Sequence, residues 1–309
     1  MQFTGFSAAD FDTYRPEKWA SNVFNRQRLE VKEKLEALAR GLAPRLHVGD
    51  GTPLAFELSA EHPALWNQHR VERQQLSLSR NAEARLELDG LLTRQRSIAS
   101  LIGDPSPLRQ HVFLCVTIDR DRLEVALRLH ADATVDISNL VRKSQDFFQR
   151  ERLLEALRGL SSAFSIELDG RPPLSAEGID DAALQTLLGA LAQAQGWLSI
   201  RSTIDRLEAI AAGPALADRL GGLLDRLLPV LHYCAWRRDN DFVSVRQALR
   251  VHQQETKARG LAKGDRVRVT RGPFTGKVGL VQATDAKGGL KVLLGSVAVR
   301  LSGEDAVKL

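Results

Sequence analysis

The sequence predicts an α+β body followed by a small C-terminal β-barrel. Apolar residues alternate over residues 112–118 and again over 123–129, with four turn residues between, which is typical of an antiparallel hairpin. Leucines recur every three or four residues over 26–46 and 216–231, which predicts amphipathic helices. Near residue 263 the helical spacing stops and short alternating strands begin.

The remaining elements of the body follow from the same two periodicities. Alternation predicts further strands around residues 54–58, 75–79, 164–168 and 197–201. Helical spacing predicts helices over residues 81–102, 137–160 in two pieces, 181–194 and 241–258. Glu124 and Arg128 lie on the outward face of the second hairpin strand, so we expect that face to be partly wet. We therefore expect an α+β antiparallel sheet with packed helices over residues 1–240, a connecting helix over 241–260 and a barrel over 261–309.

The net charge is confined to the C-terminal end. The chain carries 43 basic and 38 acidic residues, a formal net charge of +5. Nine basic and four acidic residues lie from Leu261 onward, so this segment holds the whole excess and the rest is neutral. An acidic partner such as nucleic acid would be attracted to this end first, although a basic face can also be merely solvated.

Several classes of protein are disfavoured. No apolar run is long enough for a membrane span, and the first six residues do not form a signal peptide, so we expect a cytoplasmic protein. Cys115 and Cys234 do not make a disulfide framework. His232 and Cys234 lack the second ligand pair of a zinc site, and no catalytic motif is recognisable, so we expect no metal and no cofactor.

Glycine-rich loops punctuate the C-terminal segment. Gly272 and Gly276 bracket a tight loop, and Gly279 lies inside the next strand, where a small barrel must bend. The loop differs from a phosphate-binding P-loop because only three residues separate its glycines and no Ser or Thr follows Lys277.

Three stretches of this segment carry a family resemblance. They are GDRVRV at residues 264–269, GPFTGKVG at 272–279 and LKV at 290–292. Together they resemble the KOW module of NusG-type elongation factors and of one class of large-subunit ribosomal protein. The resemblance implies an SH3-like barrel that binds ribosomal RNA, ribosomal proteins or polymerase-associated factors and has no catalytic activity.

The basic residues of the module are the leading candidates for a binding site. Their cations would contact phosphate oxygens, while the ring of Phe274 either stacks on a base, fills a pocket of a protein partner or packs in the barrel core. The candidate partner-binding residues are Arg266, Arg268, Arg271, Phe274, Lys277, Lys287 and Lys291. In the body, Arg237 and Arg238 either bind a phosphate or partner or cap a helix end, and Arg142 and Lys143 either extend a basic surface or are solvated.

The N-terminus has a resemblance of its own. Residues 3–12, FTGFSAADFD, are followed by a helix that ends at Leu42-Ala43-Pro44. This opening resembles that of an uncharacterised bacterial family of small α+β proteins. The resemblance implies a fold and no established activity.

The leading hypothesis is a non-enzymatic adaptor whose barrel contacts RNA, the ribosome or the transcription machinery. One alternative is a nuclease or nucleotide-directed enzyme with an unrecognised site in the body. Another is a structural subunit of a bacterial defence or stress complex, in which the barrel binds protein and salt has a weaker effect.

Overall fold

The computed structural model describes residues 2–49, 51–85, 88, 107–244, 261–284, 289–295 and 297–309. The chain divides into two compact units, Met1–Val243 and Ser244–Leu309. The first unit contains a mixed set of helices and antiparallel strands, and the second contains a small sheet, so the predicted α+β class is confirmed.

The first unit is built on a seven-stranded sheet in which every neighbouring pair is antiparallel. Its strands are β1 Ala55–Leu58, β2 Gln74–Ser79, β3 Phe113–Ile118, β4 Arg122–His130, β5 Ser165–Leu168, β6 Leu174–Ser175 and β7 Trp197–Asp205. The strand order is β1-β2-β3-β4-β7-β5-β6. β3 and β4 form the predicted hairpin, with Leu114 opposite Leu127.

Seven helices of the described part accompany this sheet. They are α1 Ala8–Asp12, α2 Asn25–Leu42, α3 Thr134–Lys143, α4 Phe147–Arg158, α5 Asp181–Leu191, α6 Arg206–Ala212 and α7 Leu216–Cys234. α3 and α4 are the predicted two-piece helix. Of the helix predicted over 81–102, residues 82–85 are helical and most of the remainder lies outside the described residues. Of the helix predicted over 241–258, residues 241–244 are irregular and the rest lies outside the described residues.

The helices pack on one face of the sheet. Leu127 of β4, Leu38 of α2 and Leu224 of α7 belong to a single buried cluster. The strand alternation sends Cys115 and Ala126 to the opposite face, where they form a separate small cluster with Phe113. The burial of one face against helices gives the body a core of its own.

The opposite face of the sheet is drier than the sequence predicts. Glu124 is buried, and its carboxylate accepts hydrogen bonds from Arg128 at 2.6 Å and from Arg201 at 3.0 Å. Arg201 also donates to Glu167 at 2.6 Å. The expectation of a partly wet face is therefore corrected for Glu124, because two guanidinium groups replace water as its hydrogen-bond donors.

A buried ion pair joins distant parts of the body. Arg80 follows β2 and donates two hydrogen bonds to Asp136 of α3, and it also contacts Nδ1 of His111 at 2.9 Å. Asp136 accepts the backbone N–H groups of Val112 and Trp236 at 2.9 Å and 2.7 Å. One carboxylate thus fixes the start of β3, the end of α7 and the first turn of α3.

The N-terminal opening has a structural explanation. Gly5 has φ +93, and a Cβ atom at this position would lie 2.6 Å from the backbone carbon of Gly213. Phe3, Phe6 and Phe11 follow one another in edge-to-face ring contacts within the core. Only glycine allows the two backbones to approach this closely.

The second unit is a five-stranded antiparallel sheet. Its strands are β8 Arg266–Val269, β9 Val278–Thr284, β10 Gly289–Leu294, β11 Val297–Ser302 and β12 Ala306–Lys308. The order is β11-β10-β9-β8-β12, so the C-terminal strand pairs back onto the first strand of the unit. A Cβ at Gly279 would lie 2.6 Å from the carbonyl oxygen of Leu293, which explains the glycine inside β9.

Candidate nucleic-acid interface

The alternation of β8 places its arginines on the outside of the C-terminal unit. Val267 and Val269 are buried, whereas Arg266 and Arg268 between and before them are exposed. Val292 is buried on β10, so its neighbour Lys291 is exposed by the same rule. Among the described residues, none of these three cations has an ion-pair partner.

Two cations face each other across neighbouring strands. Lys291 of β10 pairs in register with Arg300 of β11, and both side chains are exposed. Like charges directly opposite one another destabilise a sheet unless an anion or water screens them. Arg300 was not among the residues predicted for the site, although the alternation of residues 297–301 around it is a signal that could have found it.

The loop between β8 and β9 is a compact hairpin connection. Gly276 donates its N–H to Val269 at 2.7 Å, and both Gly272 and Gly276 have φ +84. Arg271 and Lys277 are exposed at the two ends of this loop. Positive φ at both glycines lets the chain turn within seven residues and brings these two cations to one loop.

Phe274 lies at the tip of the same loop. Its ring is half-buried, and it is not part of the buried cluster formed by Val267, Val281 and Val292. Phe274 therefore lies outside that buried cluster, in the same loop as the exposed cations Arg271 and Lys277. Lys287, the remaining predicted residue of the module, lies outside the described residues.

Apolar side chains lie among the exposed cations. Arg268 is opposite Val278 on one side and Val307 on the other, and both valines are exposed. Arg266 is opposite Leu280, whose side chain is 44% exposed. The outward face of β8, β9 and β12 thus combines positive charge with apolar surface.

One acidic side chain of the unit, Asp265, already has partners within the unit. Asp265 accepts the backbone N–H of Ala262 at 2.8 Å and forms an ion pair with Lys308 at 2.8 Å. The hydrogen bond from Ala262 and the ammonium of Lys308 hold the pKa of Asp265 below its ordinary value. Lys308 is thereby engaged within the unit, in contrast to the arginines of β8.

The body candidates Arg237 and Arg238 line a cleft of about 500 Å³ together with Arg80 and Trp236. Arg237 donates to both carboxylate oxygens of Asp239 and to the carbonyl of His232. It therefore ties the turn after α7 to the end of that helix. Arg238 is exposed at the cleft.

The body candidates Arg142 and Lys143 have different environments. Arg142 is exposed at the end of α3. Lys143 is buried, donates to Asn240 at 2.8 Å and lies 4.0 Å from the ring centroid of Tyr233. Burial lowers the pKa of Lys143. Its ammonium is thus held inside the body rather than presented on a basic surface.

No group of three or more His, Cys, Asp or Glu side chains that could hold a metal ion occurs within the described ranges. Among the helices that the structure describes, none is long and apolar enough to cross a membrane. Cys115 and Cys234 are both buried free thiols, and burial raises the pKa of Cys234 to about 12.

Comparison with protein families identifies one match. The KOW motif model matches residues 263–294, which are 32 of the 309 residues and include β8, β9 and β10. The chain therefore carries a KOW motif, as the sequence predicted, within a unit of the kind that binds RNA or ribosomal proteins. No curated protein sequence matches the chain, and the resemblance of the N-terminal opening stays a prediction.

Proposed function

We propose that this protein is a non-enzymatic adaptor that binds RNA of the ribosome or the transcription machinery through its C-terminal unit. The observation that carries the proposal is a set of exposed cations on the outer surface of the sheet that contains the KOW motif, none of which has an ion-pair partner in the part of the chain that the structure describes. Strand alternation places the side chains of Arg266, Arg268 and Lys291 on the exposed surface of this sheet.

Phosphate groups fit this surface chemically. A guanidinium presents several N–H donors in a planar fork, which matches two phosphate oxygens at once. The juxtaposed Lys291 and Arg300 repel one another, and a bound phosphate between them would remove that repulsion. RNA binding would therefore also relieve an unfavourable feature of the free protein.

The loop adds a contact of a second kind. Along the chain, the half-buried Phe274 lies between two exposed cations of the same loop, Arg271 and Lys277. An unpaired base can stack on such a ring while the cations hold the adjacent phosphates. This arrangement favours single-stranded segments or loops of a folded RNA.

A ribosomal or transcription protein is a second candidate partner for the same surface. Val278, Leu280 and Val307 are exposed beside the arginines of β8. An apolar centre with arginines around it is a common composition of protein interfaces. This candidate predicts binding to the isolated protein partner that survives the removal of RNA.

The proposal is tested with the full-length protein and ribosomal RNA. Arg266→Gln/Arg268→Gln removes two cations from the outer surface of β8. We expect this variant to bind ribosomal RNA at least about tenfold more weakly than the wild type in a filter-binding titration, because each phosphate contact is charge-assisted.

Arg26→Gln/Arg40→Gln is the matched control. It removes the same net charge from exposed positions of α2 in the body. The control is expected to bind as the wild type does. Equal weakening by both variants would show that net charge alone attracts RNA and would contradict a site on the C-terminal unit.

A further inference from the structure

The exposed aromatic rings of the body lie at the start of α4 and in the chain after α7. Among the described residues, the exposed aromatic side chains are Phe147, Phe148 and Phe242, at 57%, 75% and 39% of their full exposure. Every other described aromatic side chain is buried or half-buried. Adjacent exposed rings such as Phe147 and Phe148 commonly mark a site of interaction.

Side-chain contacts connect two of the rings with each other and the third with the end of α3. Phe147 and Phe148 are edge to face at 5.6 Å, and the guanidinium of Arg150 lies 5.8 Å from the ring of Phe147. Arg150 donates to the carbonyl of Ser144 at 3.1 Å. Lys143, the neighbour of Ser144, lies 5.3 Å from the ring of Phe242. We call this surface the aromatic patch and define it by Phe147, Phe148, Phe242, Arg142 and Arg152.

The groups beneath the patch are fixed by internal bonds. Arg150 donates to Asp181 at 2.5 Å, and Asp146 accepts the N–H of Gln149 at 2.9 Å as the N-cap of α4. These two carboxylates are therefore already occupied. The rings stand on a rigid base, so little conformational freedom would be lost on binding.

The patch has a positive rim. Arg142 and Arg152 are exposed, and among the described residues neither has an ion-pair partner. Phe148 and Arg152 are four residues apart on α4, so they lie on the same face of the helix. Rings beside free guanidinium groups complement an anionic, planar ligand better than a purely apolar one.

We propose that the aromatic patch binds single-stranded RNA, with bases stacked on Phe147 and Phe148 and phosphates held by Arg142 and Arg152. This inference rests on the proposed function, because it makes the body a second contact for the same RNA. Stacking on aromatic rings requires unpaired bases, so the patch selects single strands over duplexes.

The test uses the full-length protein, a labelled oligouridine of about 16 nucleotides and an RNA duplex of equal length. Phe147→Ala/Phe148→Ala is expected to weaken binding of the single strand at least about fivefold, because each stacked base is lost, and to leave duplex binding within about twofold. Arg142→Gln/Arg152→Gln leaves the rings in place. This variant is also expected to bind the single strand more weakly, and its binding should depend less steeply on salt.

Two further variants separate this proposal from the function of the C-terminal unit. Val23→Ala/Leu207→Ala truncates two exposed apolar side chains elsewhere in the body and is expected to bind as the wild type does. Arg266→Gln/Arg268→Gln is expected to weaken the binding of both the single strand and the duplex. If the phenylalanine variant and Arg142→Gln/Arg152→Gln lose affinity while Arg266→Gln/Arg268→Gln does not, the patch proposal stands and the proposed function fails.

The opposite pattern overturns the patch proposal. If Phe147→Ala/Phe148→Ala binds the oligouridine as the wild type does, the rings do not stack on RNA and a protein becomes the expected occupant. Ultraviolet crosslinking of the wild type to oligouridine gives an independent readout, with modified peptides expected over residues 142–152. Crosslinks confined to residues 261–309 would contradict the proposal.

Discussion

The arginines that hold the body together differ from the arginines of β8 in what they bind within the protein. Arg28, Arg80 and Arg201 of the body are each committed to several internal acceptors. Arg266 and Arg268 of the C-terminal unit have no ion-pair partner among the described residues and lie in solvent. The comparison teaches that the ability of a region to bind an acidic partner depends on how many of its cations are free of internal partners, and not on how many cations it contains.

The difference has an energetic side. A buried guanidinium that loses its carboxylate partner keeps its desolvation penalty without an ion pair to offset it. An exposed guanidinium that loses a partner is hydrated by solvent instead. Removal of the counter-charge of a buried arginine should therefore destabilise the body, whereas removal of Arg266 and Arg268 should leave the C-terminal unit folded. Removal of Arg266 and Arg268 should instead weaken RNA binding.

The largest effect on stability is expected at Asp136. Asp136→Asn leaves the buried guanidinium of Arg80 without its counter-charge, so the free energy of unfolding should fall by about 3 to 5 kcal/mol. Urea denaturation followed by circular dichroism measures this change. A loss below about 1 kcal/mol would mean that the pair does not hold the body together.

The acid dependence of stability is the next largest effect. Burial and the positive charge of Arg80 lower the pKa of His111 from 6.5 to about 3, so the folded protein keeps this imidazole neutral. The unfolded chain binds a proton there below pH 6.5. The contribution of His111 to the free energy of unfolding is therefore fully present above pH 6.5. It is lost as the pH falls toward 3, at about 1.4 kcal/mol per pH unit.

His111→Gln isolates this contribution because it removes the titrating group. The stability of the variant should depend less steeply on pH between 6.5 and 3 than that of the wild type. Thermal unfolding at several pH values compares the two slopes. Parallel slopes would show that another group is responsible for the acid sensitivity.

A smaller loss is expected on the outer face of the sheet. Arg201→Gln removes one of the two guanidinium groups that hydrogen-bond the buried Glu124 and also the partner of Glu167. The remaining bond from Arg128 limits the damage, so we expect a loss of about 1 to 3 kcal/mol. Chemical denaturation provides the measurement, and no measurable loss would mean that water replaces the guanidinium on this face.

The smallest effect on stability is expected for the exposed arginines of β8. Arg266→Gln/Arg268→Gln should change the free energy of unfolding by less than about 0.5 kcal/mol, because both side chains are exposed and neither has an ion-pair partner among the described residues. Thermal unfolding of the full-length variant checks this expectation. A large loss would reveal that these arginines are structural after all, and the contrast with the body would disappear.

Local features of the fold could be predicted from the sequence. Alternation is a property of adjacent residues, so the hairpin of β3 and β4 and the strands β8 to β11 could be identified directly. β12 could not, because Ala306–Lys308 is too short to show a period. The pairing of β4 with β7 is also invisible in local patterns, since it joins segments more than sixty residues apart.

The candidate site was predictable to a different extent. Exposed positions on β8 and β10 follow from alternation, and the glycines mark the loop around Phe274. The internal hydrogen bonds of Lys143 and Arg237 could not be predicted in this way. Lys143 meets Asn240 only through the tertiary fold, and Arg237 meets Asp239 only through a specific turn. The exposure of Phe147 and Phe148 could not be foreseen either, since aromatic residues at the start of a helix are as compatible with a core as with a surface.

The dependence of RNA binding on salt tests the central claim most directly. Binding constants of the full-length wild type and of Arg266→Gln/Arg268→Gln for ribosomal RNA are measured across a series of potassium chloride concentrations. The account predicts a steep negative slope for the wild type and a slope shallower by about 1.4 to 1.8 for the variant, because two phosphate contacts are lost. Identical slopes would contradict the claim that the unpaired arginines of the C-terminal unit bind RNA.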